Sequence, residues 1–264
     1  MLLAIDIGNS QTVIGVFEGT HLAREWRMTS QATRTADECG MMLAALLREA
    51  DFDAKRITRM AMASVVPSLT PEFREMGKRV FGLEPLVIDS TVDTGVPLLV
   101  RDPSSVGPDR IVNVVGALAR HGAPALVIDM GTATTFDVVD AAGSYLGGAI
   151  APGVGISAEA LFNRGARLAR VELKPPARAI GKTTEEHLQS GIFYGAVGQI
   201  DGIVRRILEE MAPGNDGRPP KVVATGGLAG PIAAFSETIQ AVDPDLTLHG
   251  IRLVDERVRG TAHV

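Results

Sequence analysis

Residues 3–17 read LAIDIGNSQTVIGVF, and residues 126–139 read LVIDMGTATTFDVV. Each stretch contains an apolar run, an Asp-x-Gly-Asn/Thr sequence, a short polar turn and a second apolar run. A strand that ends near an aspartate, turns at a glycine and returns as a strand is typical of a β-hairpin. Two such hairpins about half a chain apart predict a fold of two related α/β halves that face one another across a cleft.

The segments after each hairpin repeat one order of elements, namely a third strand, a helix, a strand and a helix. In the first half we expect strands at 21–28, 59–66 and 85–88 and helices at 37–49 and 70–81. In the second half we expect strands at 144–150 and 221–225, a long helix from Thr183 onward and a helix at 230–241. The repeat predicts an N-terminal half, residues 1–120, and a C-terminal half, residues 121–264, with a helical insert in the latter.

The composition excludes several classes of protein. Hydrophobic residues make up 45% of the 264 residues, which is enough to build a core. The net charge of −5 and the lack of a basic run argue against nucleic-acid binding. Cys39 is the only cysteine, and we expect a buried, inert thiol in a reducing compartment. Because the chain shows neither a signal peptide nor an apolar run of about 18 residues, we predict a cytoplasmic protein with no membrane contact.

The two hairpin turns carry groups that can hold a nucleotide phosphate. Gly8 allows a phosphate to approach the backbone, and Asp6 at the strand end can hold Mg²⁺ through water. Gly131, Thr132, Thr134 and Thr135 offer similar donors in the second turn, where Asp129 repeats the position of Asp6. An ordinary turn around an aspartate is the alternative for each copy. The repetition favours phosphate binding, and the absence of GxxxxGK[ST] excludes a P-loop.

The sequence Gly107-Pro108-Asp109-Arg110 predicts a helix start with a carboxylate at its positive end. A charge that merely suits the helix dipole is one interpretation. The other is chemical, since an aspartate near a γ-phosphate can orient an alcohol and accept its proton, and Arg110 can clamp an anion.

Four glycines lie on one stripe of the long helix, at positions 191, 195, 198 and 202. Each glycine costs about 1 kcal/mol relative to alanine in a helix interior, so the stripe needs a compensating contact. Tight packing inside one subunit and a helix–helix dimer interface both remain open.

Six ordered motifs resemble those of the type III pantothenate kinase family. They are DIGNS at 6–10, VGPDRIVN at 106–113, IDMGTATTFD at 128–137, GGAIAPG at 147–153, GKTTEEHLQSG at 181–191 and ATGGLA at 224–229. The resemblance spans nearly the whole chain. It implies an α/β fold of duplicated ribonuclease-H-like (actin-like ATPase) domains with an interdomain nucleotide cleft.

The resemblance also implies an activity, which is ATP-dependent phosphorylation of pantothenate to 4′-phosphopantothenate, the first step of coenzyme A biosynthesis. Asp109 corresponds to the family's proton acceptor, and Asp129 to its site for a monovalent cation, K⁺ or NH₄⁺. Mg²⁺ is expected near Asp6. The family is dimeric, so a homodimer is expected.

The implied ATP-binding residues are Asp6, Ile7, Gly8, Asn9, Ser10, Gln11, Thr12, Val13 and Thr132. The implied pantothenate-binding residues are Val100, Gly107, Pro108, Asp109, Arg110 and Thr184, and the resemblance implies that Thr184 is offered across the dimer.

One position departs from the family pattern, because Val100 stands where many members have a tyrosine that lines the substrate pocket. The loss of that hydroxyl predicts weaker pantothenate binding and leaves room for a related small alcohol. A non-catalytic regulatory or binding protein on the same scaffold is the alternative from another class, and the presence of Asp6, Asp109, Asp129 and Thr184 argues against it.

Overall fold

The structure, a computed structural model, describes residues 1–165, 170–212 and 217–260. Contacts divide the chain into two compact units. The first contains residues 1–96 and 101–116 and the C-terminal helix, and the second contains residues 97–100 and 117–245. Each unit is built around one five-stranded mixed sheet in the described residues.

The first unit contains the first five strands of the chain, the helices that follow them and the C-terminal helix. Its elements are β1 (Leu2–Ile7), β2 (Gln11–Glu18), β3 (His21–Thr29), α1 (Ala36–Glu49), β4 (Arg59–Ser64), α2 (Leu69–Met76), a π-helical turn (Gly77–Phe81), β5 (Leu86–Ile88), α3 (Pro108–His121) and α7 (Leu246–Val258). The last turn of α3 passes into the second unit.

The second unit repeats the hairpin and its third strand before the helical insert. Its elements are β6 (Ala125–Met130), β7 (Ala133–Val139), β8 (Tyr145–Pro152), α4 (Val154–Arg164), α5 (Thr184–Met211), β9 (Lys221–Thr225), α6 (Ala229–Ala233) and β10 (Ala241–Val242).

The two sheets have the same topology. The first has the strand order β3-β2-β1-β4-β5, and the second has β8-β7-β6-β9-β10 when it is followed from its third strand. In each sheet the hairpin and third strand are antiparallel, and the two remaining strands run parallel to the first. The duplication predicted from the two hairpins is therefore present in the fold.

The central strand β1 is apolar from Leu2 to Ile5 because both faces of the first sheet are covered there. Leu3, Ile5 and Ile7 pack in the cluster that contains residues of α1 and α2. Leu2 and Ala4 point to the opposite face and pack with residues of α3 and α7. A strand covered on both sides has no solvent-facing positions, so it reads as a continuous hydrophobic run rather than an alternating one.

The C-terminal end of the chain differs most from the expectation. The predicted helix at 230–241 is wrong in its second half, because α6 ends at Ala233 and Ala241 begins a strand. The sequence did not indicate α7, and this helix groups with the first unit rather than with the C-terminal half. Gly250 explains both the weak helix signal and the packing. A Cβ there would lie 1.9 Å from the carbonyl oxygen of Val112, so only glycine lets α7 meet α3 at backbone distance.

The single cysteine and the apolar character of the helices bear on the predicted cellular compartment. Cys39 is buried, as predicted, and burial raises the pKa of its thiol to about 11, which lowers the fraction of reactive thiolate. Among the described helices, none combines the length and the apolar character that a membrane crossing requires.

Candidate active site

The turn between β1 and β2 is shaped by Gly8. Its N–H donates to the carbonyl oxygen of Gln11 at 3.0 Å, and a Cβ at position 8 would lie 2.9 Å from the same oxygen. Asn9, Ser10 and Gln11 are exposed at the tip, and Asp6 lies half-buried one residue before the end of β1. The turn therefore presents polar groups and bare backbone beside a carboxylate.

Two residues of this segment face inward. Ile7 is fully buried in the first core. Thr12 is also fully buried, and its hydroxyl shares a hydrogen bond of 2.8 Å with the hydroxyl of Ser30. Eight residues of this hairpin are predicted to bind ATP. Because their side chains are buried, Ile7 and Thr12 can contact a nucleotide only through main-chain atoms.

The second hairpin places Asp129 at the position equivalent to Asp6, one residue before the end of its strand. A Cβ at Gly226 would lie 2.7 Å from the Asp129 Oδ1 atom and 2.7 Å from the carbonyl oxygen of Met130. Gly226 has a φ of +92°, a conformation that glycine adopts without strain. The fold thus brings together a carboxylate oxygen and a carbonyl oxygen beside a glycine that leaves them room.

The threonines of the second hairpin differ in accessibility. Thr132 is exposed in the turn, whereas Thr134 is only 1% exposed. The hydroxyl of Thr135 donates to the carboxylate of Asp137 at 3.2 Å. Thr132 is therefore the threonine best placed to contact a phosphate. It is also the threonine of this hairpin that the family resemblance implied as an ATP contact.

The start of α4 lies against this turn, and the sequence did not single it out. The Gly153 N–H donates to the carbonyl oxygen of Thr132 at 3.2 Å, and a Cβ at Gly153 would lie 2.2 Å from that oxygen. No side chain caps the first turn of the helix. Its N–H groups and the positive end of its dipole therefore lie beside Thr132, where they favour an anion. The Pro152-Gly153 pair before an apolar segment is the signal that could have indicated this helix start.

Asp109 lies in the first turn of α3 and is fixed by the helix itself. Its Oδ1 atom accepts a hydrogen bond of 2.8 Å from the Arg110 N–H. A Cβ at Gly107 would lie 2.5 Å from the same oxygen, so glycine is required for the carboxylate to occupy this position. Burial raises the pKa of Asp109, and the contacts with Arg110 oppose this effect only in part. The arrangement yields a fixed, partly desolvated carboxylate of increased basicity.

Val100 is attached to the edge of the second sheet. The Leu99 N–H donates to the Tyr145 carbonyl oxygen at 2.8 Å, and the Tyr145 N–H donates to the Pro97 carbonyl oxygen at 2.9 Å. These bonds place Val100 over Gly147 of β8, where a Cβ would lie 3.6 Å from the valine side chain. A branched apolar side chain thus stands at the position of the family's tyrosine.

Thr184 is the first residue of α5 and is exposed. The sequence Thr183-x-x-Glu186 has the pattern of a capping box, and half of that box is formed. The Thr183 hydroxyl accepts from the Glu186 N–H at 3.2 Å, but the Glu186 carboxylate accepts from the Lys182 N–H at 2.5 Å rather than from Thr183.

The expected residues are divided between the units. The first unit contains residues 6–13 and 107–110, and the second contains Val100, Asp129, Thr132 and Thr184. No group of three or more His, Cys, Asp or Glu side chains suited to a metal ion occurs within residues 1–165, 170–212 and 217–260. An ion at Asp6 or Asp129 would need its remaining ligands from the backbone, water or a nucleotide.

Comparison with known proteins agrees with this arrangement of motifs. Residues 2–206 match a family described as type III pantothenate kinase. The chain belongs to the type III pantothenate kinase family. The match covers both hairpins, residues 107–110 and the first part of α5, and it confirms the resemblance inferred from the six motifs.

Individual relatives extend the similarity to nearly the whole chain. A type III pantothenate kinase of Moorella thermoacetica is 50% identical over 97% of this chain and 99% of its own length. One from Anaeromyxobacter sp. (strain Fw109-5) is 47% identical over 98% of this chain and the full length of the relative.

A solved structure shows the fold independently. The activator of 2-hydroxyisocaproyl-CoA dehydratase from Clostridium difficile, solved with bound ADPNP, is 12% identical, with a TM-score of 0.58 over the full chain and 98% of the neighbour. At this identity the likeness concerns the fold alone. The predicted fold class, duplicated ribonuclease-H-like domains of the actin-like ATPase type, is confirmed for this pantothenate kinase family member.

Proposed function

We propose that this chain transfers the γ-phosphoryl group of ATP to the primary hydroxyl of pantothenate, and that Asp109 accepts the proton of that hydroxyl. The observation that carries the reaction is the near full-length identity of 50% to a type III pantothenate kinase. Such an enzyme is a phosphotransferase that produces 4′-phosphopantothenate, the first intermediate of coenzyme A biosynthesis. The residue assignments that follow go beyond family membership.

The geometry of Asp109 supports its role as proton acceptor. Because Oδ1 is held by the Arg110 N–H, we assign the proton to Oδ2. Burial raises the pKa of this carboxyl, which makes its ionised form a better base than an exposed aspartate. Arg110, on the same turn, is assigned to the pantothenate carboxylate together with Gly107 and Pro108.

ATP is assigned to the two hairpin turns. Residues 6–13 would contact the phosphates through bare backbone at Gly8 and the polar side chains at the tip. Thr132 and the uncapped first turn of α4 would hold phosphate oxygens in the second unit. Asp6 would hold Mg²⁺ through water. A bound Mg²⁺ neutralises charge on the transferred phosphoryl group, and positioning by these turns supplies the remainder of the catalysis.

A monovalent cation, K⁺ or NH₄⁺, is assigned to Asp129. The fit is supported by two oxygen atoms, Asp129 Oδ1 and the Met130 carbonyl oxygen, which both border the space left open by Gly226. Oxygen donors of this kind suit a hard cation.

A homodimer is proposed through α5. Around Gly191, Gly195 and Gly198, no described atom beyond the chain neighbours and the nearby backbone of α5 itself lies within 4 Å of an added Cβ, so packing against another element of the subunit does not explain these glycines. A groove of about 340 Å³ runs between α4 and α5 and is lined by Leu161 and Ile192 among others. Leu161 is 42% exposed. A second copy of α5 would cover this surface and offset the helical cost of the glycines.

Val100 is assigned to the acceptor pocket with a weaker contact than the tyrosine it replaces. The unpaired, buried Cys39 suits the reducing cytoplasm, which is the compartment we propose.

The proposed function is tested by a coupled assay for pantothenate-dependent ADP release, run in K⁺ and in Na⁺ with the wild type and with Asp109→Asn. We expect turnover that depends on pantothenate and K⁺, and a loss of several orders of magnitude in kcat for Asp109→Asn with nucleotide affinity retained. Asp53→Asn is the control, because the Asp53 carboxylate also accepts a backbone N–H, that of Lys55 in the short helix Ala54–Arg56, but is exposed.

Three outcomes would contradict the proposal. If the ATP turnover of the wild type does not depend on pantothenate but is stimulated by another small alcohol, that alcohol is the acceptor substrate. An absence of turnover with any alcohol would favour the non-catalytic regulatory protein. A near wild-type rate in Asp109→Asn would remove this residue from the mechanism.

A further inference from the structure

The segment that precedes α5 is tied to that helix by side chains from the second turn of the helix. We call residues 172–182 the strap. The Ser190 hydroxyl donates to the Ala179 carbonyl oxygen at 2.6 Å, and the Gln189 side chain donates to the Glu172 carbonyl oxygen at 3.3 Å. Both donors are only 7% exposed. Buried hydroxyl and amide groups are costly unless they are bonded, so these bonds commit the strap to one path along the helix.

The end of the strap is fixed more closely still. His187 Nε2 lies 3.2 Å from the Gly181 carbonyl oxygen, to which it donates in the tautomer protonated at that nitrogen. A Cβ at Gly181 would lie 2.7 Å from atoms of Glu186, so the strap and the first turn of α5 are in direct contact. The Lys182 N–H donates to the carboxylate of Glu186. The backbone that leads into Thr184 is therefore held on both sides.

Thr184 is the exposed residue that these contacts position. It follows Gly181 by three residues and precedes Ser190 by six. The side chains of Thr183, Glu186 and His187 are each bonded within the turn. Thr184 is exposed and begins the helix, so its hydroxyl is directed by a backbone that other residues hold in place.

We propose that Ser190 and His187 are positioning residues for the acceptor substrate, because they fix the turn that presents the Thr184 hydroxyl. This inference rests on the proposed function, in which Thr184 contacts pantothenate. Neither residue touches the substrate in the proposal. Their effect is transmitted through the Ala179 and Gly181 carbonyl groups to the backbone of residues 181–184.

The test is a mutant cycle read by steady-state kinetics. Ser190→Ala is expected to raise the KM for pantothenate about tenfold, the size of one hydrogen bond, while kcat and the KM for ATP stay within about twofold. In a Thr184→Val background the same substitution should have no further effect on that KM, because the positioned hydroxyl is gone. Additive effects in the double variant would overturn the proposal, as would an unchanged KM in Ser190→Ala.

Variants of His187 test the same proposal if Ser190→Ala does not fold. His187 is exposed, so His187→Leu should fold and raise the KM for pantothenate, and His187→Gln, which keeps a donor, should restore it. His21→Leu, exposed on β3, is the matched control and should change nothing. Equal effects of His187→Leu and His187→Gln would contradict a role for the bond to Gly181.

Hydrogen exchange separates this inference from the proposed function. Ser190→Ala should accelerate amide exchange in residues 181–184 relative to the wild type, whether or not the wild type uses pantothenate. Slow, unchanged exchange there would show that Ser190 does not hold the turn. A wild type inactive on pantothenate, with accelerated exchange in the variant, would refute the proposed function and the acceptor as the group that Thr184 binds, but it would support the fixing of the turn by Ser190.

Discussion

The residues at the start of α3, 107–110, act together to orient one carboxylate. Gly107 leaves the space that the Asp109 carboxylate occupies, and the Arg110 N–H holds that carboxylate. Pro108 begins the helix without needing a hydrogen bond for its nitrogen. The same four residues that suggested a helix start therefore also define the orientation of the candidate base.

Replacement of Gly107 by alanine should displace this carboxylate. The added Cβ would lie 2.5 Å from Asp109 Oδ1, below any normal contact distance. We expect kcat to fall at least tenfold while circular dichroism and the melting temperature change little, since Gly107 lies outside the helix interior. An unchanged kcat would show that Asp109 can move without loss of function.

Asp109→Asn should separate stability from activity. A carboxyl whose pKa is raised by folding destabilises the protein at pH values above that raised pKa, and the penalty disappears below the ordinary value of about 3.9. Asparagine can still accept from the Arg110 N–H. We expect the inactive variant to melt at the same or a higher temperature at pH 7, with the difference gone near pH 3.5. A lower melting temperature at pH 7 would indicate that the ionised group stabilises the fold.

At the scale of elements, α5 organises the second unit. Its Asp201 carboxylate accepts from the hydroxyl groups of Ser236 and Thr238 and from the backbone of Glu237 and Thr238. Phe235 packs edge-on against Phe193 of the same helix with ring centroids 5.1 Å apart. One helix thus holds the loop that replaces the second half of the predicted helix at 230–241.

Asp201→Asn should destabilise the protein in a pH-dependent way. Burial alone would raise the pKa of Asp201, but the hydrogen bonds from Ser236, Thr238 and the backbone outweigh it and lower the pKa. The stabilisation is therefore complete above about pH 4 and is lost as the pH falls through the lowered value. Chemical denaturation at pH 7 should show a loss of about 2 kcal/mol for the variant, shrinking at acidic pH. A difference that is the same at pH 7 and pH 3 would exclude this ionisation as the cause.

Gly195→Leu tests the dimer on α5. No described atom outside the nearby backbone of α5 lies within 4 Å of a Cβ at this position, whereas a leucine would obstruct a second helix packed on the stripe. We expect the mass in solution to fall to that of a monomer, measured by light scattering, with helical content retained. An unchanged mass with an intact fold would remove the stripe from the interface.

At the scale of the whole molecule, the duplicated sheets place Asp6 and Asp129 at equivalent positions in different surroundings. Asp6 pairs with Val13 across its hairpin, and its strand neighbour on the other side is Ala63. Asp129 pairs with Thr135 and is bordered by Gly226. Equivalent topology has therefore placed the two carboxylates among different neighbours.

Asparagine at each position should distinguish the two ions. Asp129→Asn should weaken the activation by K⁺ at saturating Mg²⁺, because one charged oxygen donor is lost. Asp6→Asn should instead raise the Mg²⁺ concentration needed for half-maximal activity and leave the K⁺ dependence unchanged. Titration of both ions against both variants is the measurement, and a K⁺ effect confined to Asp6→Asn would exchange the two assignments.

Much of the fold could be predicted because its signals are local. Both hairpins, the helix start at residue 108 and the cap at Thr183 depend on residues within about four positions of one another, so short stretches specify them. The pattern also indicated the duplication and the family. The helix at 230–241 was predicted too long, because short stretches do not show that Ala241 joins the second sheet. The helix α7 was not predicted, because Gly250 weakened its local signal.

The sequence by itself determined the two Asp-x-Gly hairpins, the Gly-Pro-Asp-Arg helix start and membership of the type III pantothenate kinase family. Only the tertiary structure decided which glycines serve close approach and which face open space. Gly153 meets Thr132, Gly226 meets Asp129 and Gly250 meets Val112, whereas at Gly195 no described atom outside the nearby backbone of α5 lies within 4 Å of an added Cβ. The physical reason is that a missing Cβ has meaning only through the atoms that would collide with it, and those atoms come from distant parts of the chain.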